Sequence, residues 1–442
     1  MALAVMEPQG NKPSAMNLVW ILLILAAVLV GAAQGKLEEV GKASFQSAKQ
    51  AVELAIGLVG AMAFWLGLMR VSQEAGLMIA IAKALRPLMS RLFPDVPPHD
   101  RAMGAMIMNI AANVMGLGNA ATPLGIKAMQ ELDRLNPRKG EATDAMCLFL
   151  AINTSSVTLL PLGTMAMRAS AGAREPGAIV LPTILATLIS TGVAVLAAKG
   201  LKRFSASRGV AEPLGPNPPE ETPLGAEKLS PGGIPRALGW RRVLIPAFVL
   251  AFGAAAAAGF WGRLESGLPA SYITQALIPF LIGLLSLYGV SRGLPVYENL
   301  CEGGKEGFQV ALRIIPFLVA IMVAVGMFRA SGALDLLVTI SHPVTSLIGM
   351  PAETLPMAMV RPLSGSGAFG IMAELVAKAP DSLEAFIACV MQGSTDTTFY
   401  ILAVYFGVVQ VTRIRYALWA GLMADAAGVV ASVILGRVFW NG

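Results

Sequence analysis

Six stretches of the chain, 13–35, 102–126, 145–167, 176–198, 243–262 and 266–291, contain no Asp, Glu, Lys or Arg. Each approaches or exceeds the roughly 20 residues a helix needs to cross about 30 Å of hydrocarbon. Only 14% of the 442 residues are charged and 55% are hydrophobic, too little polar surface for a water-facing globule or a disordered chain. These features predict an all-α polytopic membrane protein. The three cysteines, Cys147, Cys301 and Cys389, lie far apart, and the two histidines, His99 and His342, sit beside prolines in predicted loops. No zinc site, disulfide framework, other metal site or His-based catalytic cluster is expected. The net charge of +6 fits basic cytoplasmic loops better than nucleic-acid binding, because no basic run carries interleaved aromatics. The apolar run 17–34 is long enough to span and is expected to remain as a first helix rather than a cleaved signal.

Residues 199–242 break this pattern with eight basic and four acidic residues and seven prolines. That composition predicts a solvated, flexible, cytoplasmic linker. It separates a first repeat (1–198) from a second (243–442), the latter preceded by an extra span at 243–262. Polar signposts recur in order in both halves. Gly41-Lys42 and Phe45 correspond to Gly304-Lys305 and Phe308, and 119–125 corresponds to 364–370. Asn153-Thr154-Ser155-Ser156 corresponds to Ser394-Thr395-Asp396-Thr397-Thr398. A duplication follows. Basic residues crowd the first half from Arg70 to Lys139, whereas the loop matching 134–141 holds Asp381 and Glu384. If basic loops face the cytoplasm, the repeats are inverted, and the extra span supplies the flip.

Two Gly/Pro-rich polar loops, 116–125 and 361–367, sit at the ends of apolar runs. In hydrocarbon such loops survive only where they line a cavity, so both read as tips of re-entrant hairpins. Their candidate solute-binding residues are Asn119, Thr122, Ser364 and Ser366. A second pair of polar breaks interrupts apolar segments at Asn153, Thr154 and Ser155 and at Gln392, Ser394 and Thr395. Asp396, beside Thr397, is an ionisable group at membrane depth and is the candidate ion-coupling residue. It can bind a cation, carry a proton, pair with a basic group on a substrate, or pair internally with Arg361. The run Gly365-Ser366-Gly367-Ala368-Phe369-Gly370 fits G-x-G-x-x-G, but no strand precedes it, so a dinucleotide site is not expected.

At these motifs the resemblance becomes specific. The first half resembles the spore maturation protein A family through Phe64 to Met69, Gly116 to Met129 and Asn153 to Ser155. The second half resembles the spore maturation protein B family through Gly326 to Asp335, Met350 to Gly370 and Met391 to Gly407. Both resemble the wider nucleoside-recognition (Gate) superfamily, which looks related to concentrative nucleoside carriers, a ferrous-iron permease and a dipicolinate-transporting spore protein. The resemblance implies transport by inverted repeats with hairpins. It names no solute, and the lack of Cys in the polar motifs argues against iron.

The expected function is a secondary transporter of a small polar solute (nucleoside-like, a carboxylate or a cell-envelope metabolite), coupled to H+ or Na+ if coupled at all. The alternative is a non-transporting scaffold that recruits cell-envelope or peptidoglycan enzymes. No enzyme activity and no cofactor are expected. The expected setting is the bacterial cytoplasmic (inner) membrane, with the lipid bilayer as partner and a homo-oligomer left open.

Overall fold

The computed structural model describes residues 15–116, 118–155, 157–204, 243–261 and 269–440. The predicted linker 199–242 lies largely outside these, and only its start, which continues a helix to Phe204, is described. Among the described residues the chain is helical, with one isolated β-bridge between Glu141 and Arg413. The protein is an all-α polytopic membrane protein.

The first half comprises α1 (Ala15–Ala33), α2 (Leu37–Glu74), α3 (Leu77–Leu92), α4 (Arg101–Val114), α5 (Gly118–Arg134), α6 (Asp144–Ser155), α7 (Leu162–Ser170) and α8 (Val180–Phe204). An additional helix, α9 (Leu244–Trp261), follows. The second half comprises α10 (Pro269–Ser291), α11 (Val296–Ala330), α12 (Ala333–Ile348), α13 (Leu355–Val360), α14 (Gly365–Lys378), α15 (Leu383–Ser394), α16 (Thr398–Val408) and α17 (Ala417–Phe439). The two series match element for element. Even the sharp corners agree: α3 and α12 each start after a left-handed glycine, Gly76 (φ 84°) and Gly332 (φ 79°).

Among the described residues, three helices are long and apolar enough to span by themselves: Leu37–Glu74, Pro176–Arg203 and Ala417–Phe439. A fourth span is formed if Ile315–Ala330 and Ala333–Ser341, bent by 80°, are taken together. The charge-free runs 102–126 and 145–167 are not single helices. The first turns at Gly116, whose φ of 73° suits a residue without a Cβ, and the second breaks after Ser155. His342 also departs from expectation, since it lies inside α12 with Pro343 rather than in a loop.

Matching helices pack against each other in antiparallel fashion. Along α2 and α11, Gly67 meets Leu300, Ala63 meets Gly307, and Ser47 meets Gly326. Such contact needs small residues, because a Cβ on Gly307 would lie 2.5 Å from Ala63 Cα, and one on Gly67 would lie 2.5 Å from the Leu300 carbonyl oxygen. Within a bilayer, where apolar burial drives little helix association, this close approach is the main attraction. α1 packs on α11, with Trp20 donating to the Ala320 carbonyl at 2.8 Å. Reciprocally, α10 packs on α2.

α8 and α17 form the second antiparallel pair. At one end, Asp144 binds Lys202 of α8 at 2.9 Å and Arg415 and Tyr416, just before α17, at 2.8 and 3.0 Å. Burial opposes ionisation of Asp144, but the hydrogen bond from Lys202 and the charge of Arg415 outweigh it and hold its pKa below the ordinary carboxylate value. At the other end, Asp381 accepts from Arg168 at 3.3 Å, and its carbonyl accepts from Trp440 at 2.9 Å. The loops 134–143 and 378–382 therefore lie at opposite ends of α17.

A Gly307→Ala substitution should lower stability by about 1–3 kcal/mol, as overpacking does. Gly57→Ala, where nothing lies within 4 Å of the added Cβ, should be neutral or stabilising. Thermal unfolding in detergent checks both, and equal midpoints would contradict the packing account.

Candidate functional site: a polar core at the helix breaks

α6 ends because its last side chains turn back on its own carbonyls. Asn153 donates to Phe149 O at 2.9 Å, Thr154 to Ala151 O at 2.8 Å, and Ser155 to Ile152 O at 2.9 Å. Such local bonds compete with helix continuation. α15 ends in the same manner, with Ser394 donating to Met391 O at 3.2 Å before Thr395 and Thr397 adopt extended backbone. The two ends meet. The Asp396 amide donates to the Thr154 carbonyl at 2.6 Å, so one half's break satisfies the other's orphan acceptor. Paired hydroxyls then fix each end to its own half's last helix: Ser155 to Thr191 and Ser394 to Ser432, both at 2.9 Å.

Each hairpin reaches into this junction. From α4, Asn113 donates to Asn153 Oδ1 at 3.0 Å, and Asn109 donates to Ala121 O at 2.8 Å. Tyr405 of α16 donates to Asn153 Oδ1 at 3.4 Å and abuts Gly125. In the second half Arg361, 4% exposed, donates to the carbonyls of Gln392 (2.9 Å) and Thr395. Phe399 N donates to Pro362 O at 3.0 Å. Ser364 caps α14 by accepting from Gly367 N at 3.0 Å, and its hydroxyl lies 3.3 Å from that of Ser366. Gly365 packs against Thr397, whose hydroxyl would lie 2.9 Å from an added Cβ.

The residues singled out from sequence are distributed as follows. Asn153, Thr154, Ser155, Ser394, Thr395 and Thr397 are buried, while Gln392, Asp396, Ser364, Ser366 and Thr122 are half-buried. The side chain of Asn119 and all of Ser156 lie outside the described residues. The first hairpin meets α16 at Tyr405 and the second meets the break just before α16 at Thr397. Asp396 accepts from the Thr397 amide at 2.7 Å. Among the described residues no carboxylate forms an ion pair with Arg361, whose guanidinium serves backbone carbonyls, although the charges of Asp396 and Asp425 act on it. The internal Asp396–Arg361 pair raised from sequence is thus not formed.

Sequence reading passed over Asp425. It lies on α17, is 2% exposed, and accepts from Thr398 Oγ1 at 2.6 Å, while its Oδ1 has no partner. A lone acid within an apolar helix is the signal that identifies it. Asn109, Asn113 and Tyr405 were also passed over, and single polar residues in apolar runs give little to distinguish them.

Fold and site together define a polytopic membrane protein of two like halves, with a polar core where their broken helices meet. The profile described as nucleoside recognition (Gate) matches residues 55–172 and 311–412. The chain is 48% identical over 166 residues to spore maturation protein B of Bacillus subtilis, covering 37% of this chain and 93% of that protein. It is 44% identical over 174 residues to spore maturation protein A of the same organism, covering 39% of this chain and 89% of that protein. The chain belongs to the nucleoside-recognition family, with the spore maturation proteins as relatives. No solved structure matches it. None of these matches names an enzyme.

Arg361→Lys should lower stability by about 1–3 kcal/mol, because Nη2 at the end of the guanidinium serves both carbonyls and the shorter lysine side chain stops short of them, leaving buried acceptors unpaired. The unfolding midpoint in detergent measures this, and an unchanged midpoint would show that the carbonyl clasp contributes nothing.

Proposed function

We propose that the protein is a secondary transporter of a small polar solute in the bacterial cytoplasmic membrane, and that its halves are inverted-topology repeats. The observation that carries this reading is the junction at Thr154 and Asp396. Broken helices at the centre of an apolar bundle are tolerated only where they are buried in protein or line a polar cavity, and discontinuous helices of this kind form the binding sites of secondary transporters; here Gln392 Oε1 and Thr395 Oγ1 are left without partners at the junction. The antiparallel α2/α11 and α8/α17 pairs support inversion. The end bearing Lys199, Lys202, Arg203, Arg413 and Arg415 is assigned to the cytoplasm on the positive-inside rule.

In this reading Asn153, Thr154, Ser155, Gln392, Ser394 and Thr395 bind the solute together with the hairpin residues Asn119, Thr122, Ser364 and Ser366. Asp396 with Thr397 carries the coupling to H+ or Na+. Alternating access would pass this core between a closed state and states open to either side.

The test is uptake into proteoliposomes of a panel of nucleosides, small carboxylates and cell-envelope precursors under imposed H+ or Na+ gradients. Asp396→Asn, near-isosteric, should leave folding and insertion intact and abolish gradient-driven uptake. A wild-type protein that moves none of the panel, but retains peptidoglycan enzymes from membranes, would favour the scaffold. Normal coupled flux in Asp396→Asn would remove Asp396 from the mechanism.

A further inference from the structure

Among the described residues the polar core contains one guanidinium, Arg361, and two carboxylates, Asp396 and Asp425. Arg361 is buried and acted on by Asp396 and Asp425. Asp396 is half-buried, and its Oδ1 is held by a backbone amide. Asp425 differs in every respect. It is 2% exposed, receives a single hydrogen bond from Thr398, and keeps Oδ1 without a partner. Its face of α17 is cut back at Gly421 and Gly428, one turn to either side. A Cβ at Gly421 would lie 2.8 Å from the Thr398 side chain and 3.4 Å from Thr154 Oγ1, and one at Gly428 would strike Thr395. The two glycines let the broken segment lie directly on the helix at Asp425. Thr395 Oγ1, at that same face, also lacks a partner.

We propose that Asp425 is a proton-binding site, holding its proton in the closed state and exchanging it when the core opens. The inference rests on the transporter reading above: it names the coupling ion as H+, puts the proton on Asp425 and leaves Asp396 as the neighbouring charge through which its uptake and release are coupled. The charge count drives it: with both acids ionised the core carries one net negative charge in a low-dielectric setting, and with Asp425 protonated Arg361 balances Asp396. A buried ionised carboxylate with one oxygen unserved is costly, whereas a neutral acid is not. The surroundings agree. Near Asp425, α6 presents Thr154, α8 presents Ser190 and α16 presents Thr398, all neutral. Cys389 of α15 lies beside Arg168 toward the far end, and α12 meets α17 near Arg437. Among the described residues, only Arg361 and Asp396 bring charge to it. In the repeat alignment set by the hydroxyl pairs Ser155–Thr191 and Ser394–Ser432, the first half has Ile184 where the second has Asp425, so the proton site belongs to one half alone.

The test is infrared difference spectroscopy of the full-length protein in lipid nanodiscs, with pH as the variable and no solute needed. The wild type should show the carbonyl stretch of a protonated carboxylic acid at neutral pH, lost in Asp425→Asn. Asp396→Asn should move the loss of that band to lower pH by about 1 unit or more, because removing a like charge favours ionisation. Should Asp425→Asn fail to fold, Thr398→Val keeps the acid, removes its hydrogen bond, and should shift the band's frequency. A band absent from the wild type, unchanged in Asp425→Asn or unmoved in Thr398→Val would overturn the assignment. So would a band abolished by adding Na+ at fixed pH, which would make this a sodium site. Solute flux in the presence of any such result would leave the transporter reading standing, and absence of flux with a titrating band would leave the proton site standing.

Discussion

The hydrogen bond from the Asp396 amide to the Thr154 carbonyl is the contact on which the rest of the structure depends. A helix end leaves carbonyls and amides without partners, and in hydrocarbon no water replaces them. Two helices that break at mid-depth are therefore tenable only if the groups they release are satisfied within the protein. Here each half answers part of the other's need. Asp396 serves α6, while Arg361, Asn113 and the hydroxyl pairs tie each break to its hairpin and to its own last helix. The antiparallel α2/α11 and α8/α17 pairs hold the two breaks face to face. Glycines along α2 and α11 permit the approach.

The two halves are alike in frame and unlike in charge. In the first, Asn113 and Asn153 make a neutral contact between hairpin and break. In the second, the corresponding roles fall to Arg361 and the carbonyls of Gln392 and Thr395, with Asp396 and Asp425 nearby. A duplicated frame supplies the paired breaks, and divergence of one copy confines the ionisable groups to one side of the junction. A solute bound between them would meet neutral amides and hydroxyls from one half and a charge-bearing segment from the other.

Much of this was legible in the sequence, and for physical reasons. Gly/Pro-rich polar segments inside apolar runs conflict with any uninterrupted helix, so the turns at Gly116 and before Gly365 and the breaks near Asn153 and Asp396 stood out, although most of the expected loop 116–125 is the first part of α5, with Pro123 inside the helix. The repeat was visible because polar signposts recur in order. What stayed hidden follows from the same filters. A search for charge-free runs passes over α17, because Asp425 and Arg437 interrupt it, so the acid most deeply placed in the core concealed its own helix. In runs 102–126 and 145–167 the interruptions were legible but their cause was not, since composition does not register a left-handed Gly116 or side chains that bond back to their own carbonyls. Arg361 looked like a partner for Asp396. Only three-dimensional placement assigns its guanidinium to backbone carbonyls.

Opposed orientation of the two halves is the claim from which the paired breaks and the shared core follow, and sidedness labelling tests it most directly. Single cysteines at Lys139 and Lys378, introduced after Cys147, Cys301 and Cys389 are replaced, would be exposed to a membrane-impermeant thiol reagent in sealed vesicles. Labelling of the two positions from opposite sides of the membrane is the expected result. Labelling of both from the same side would contradict the account.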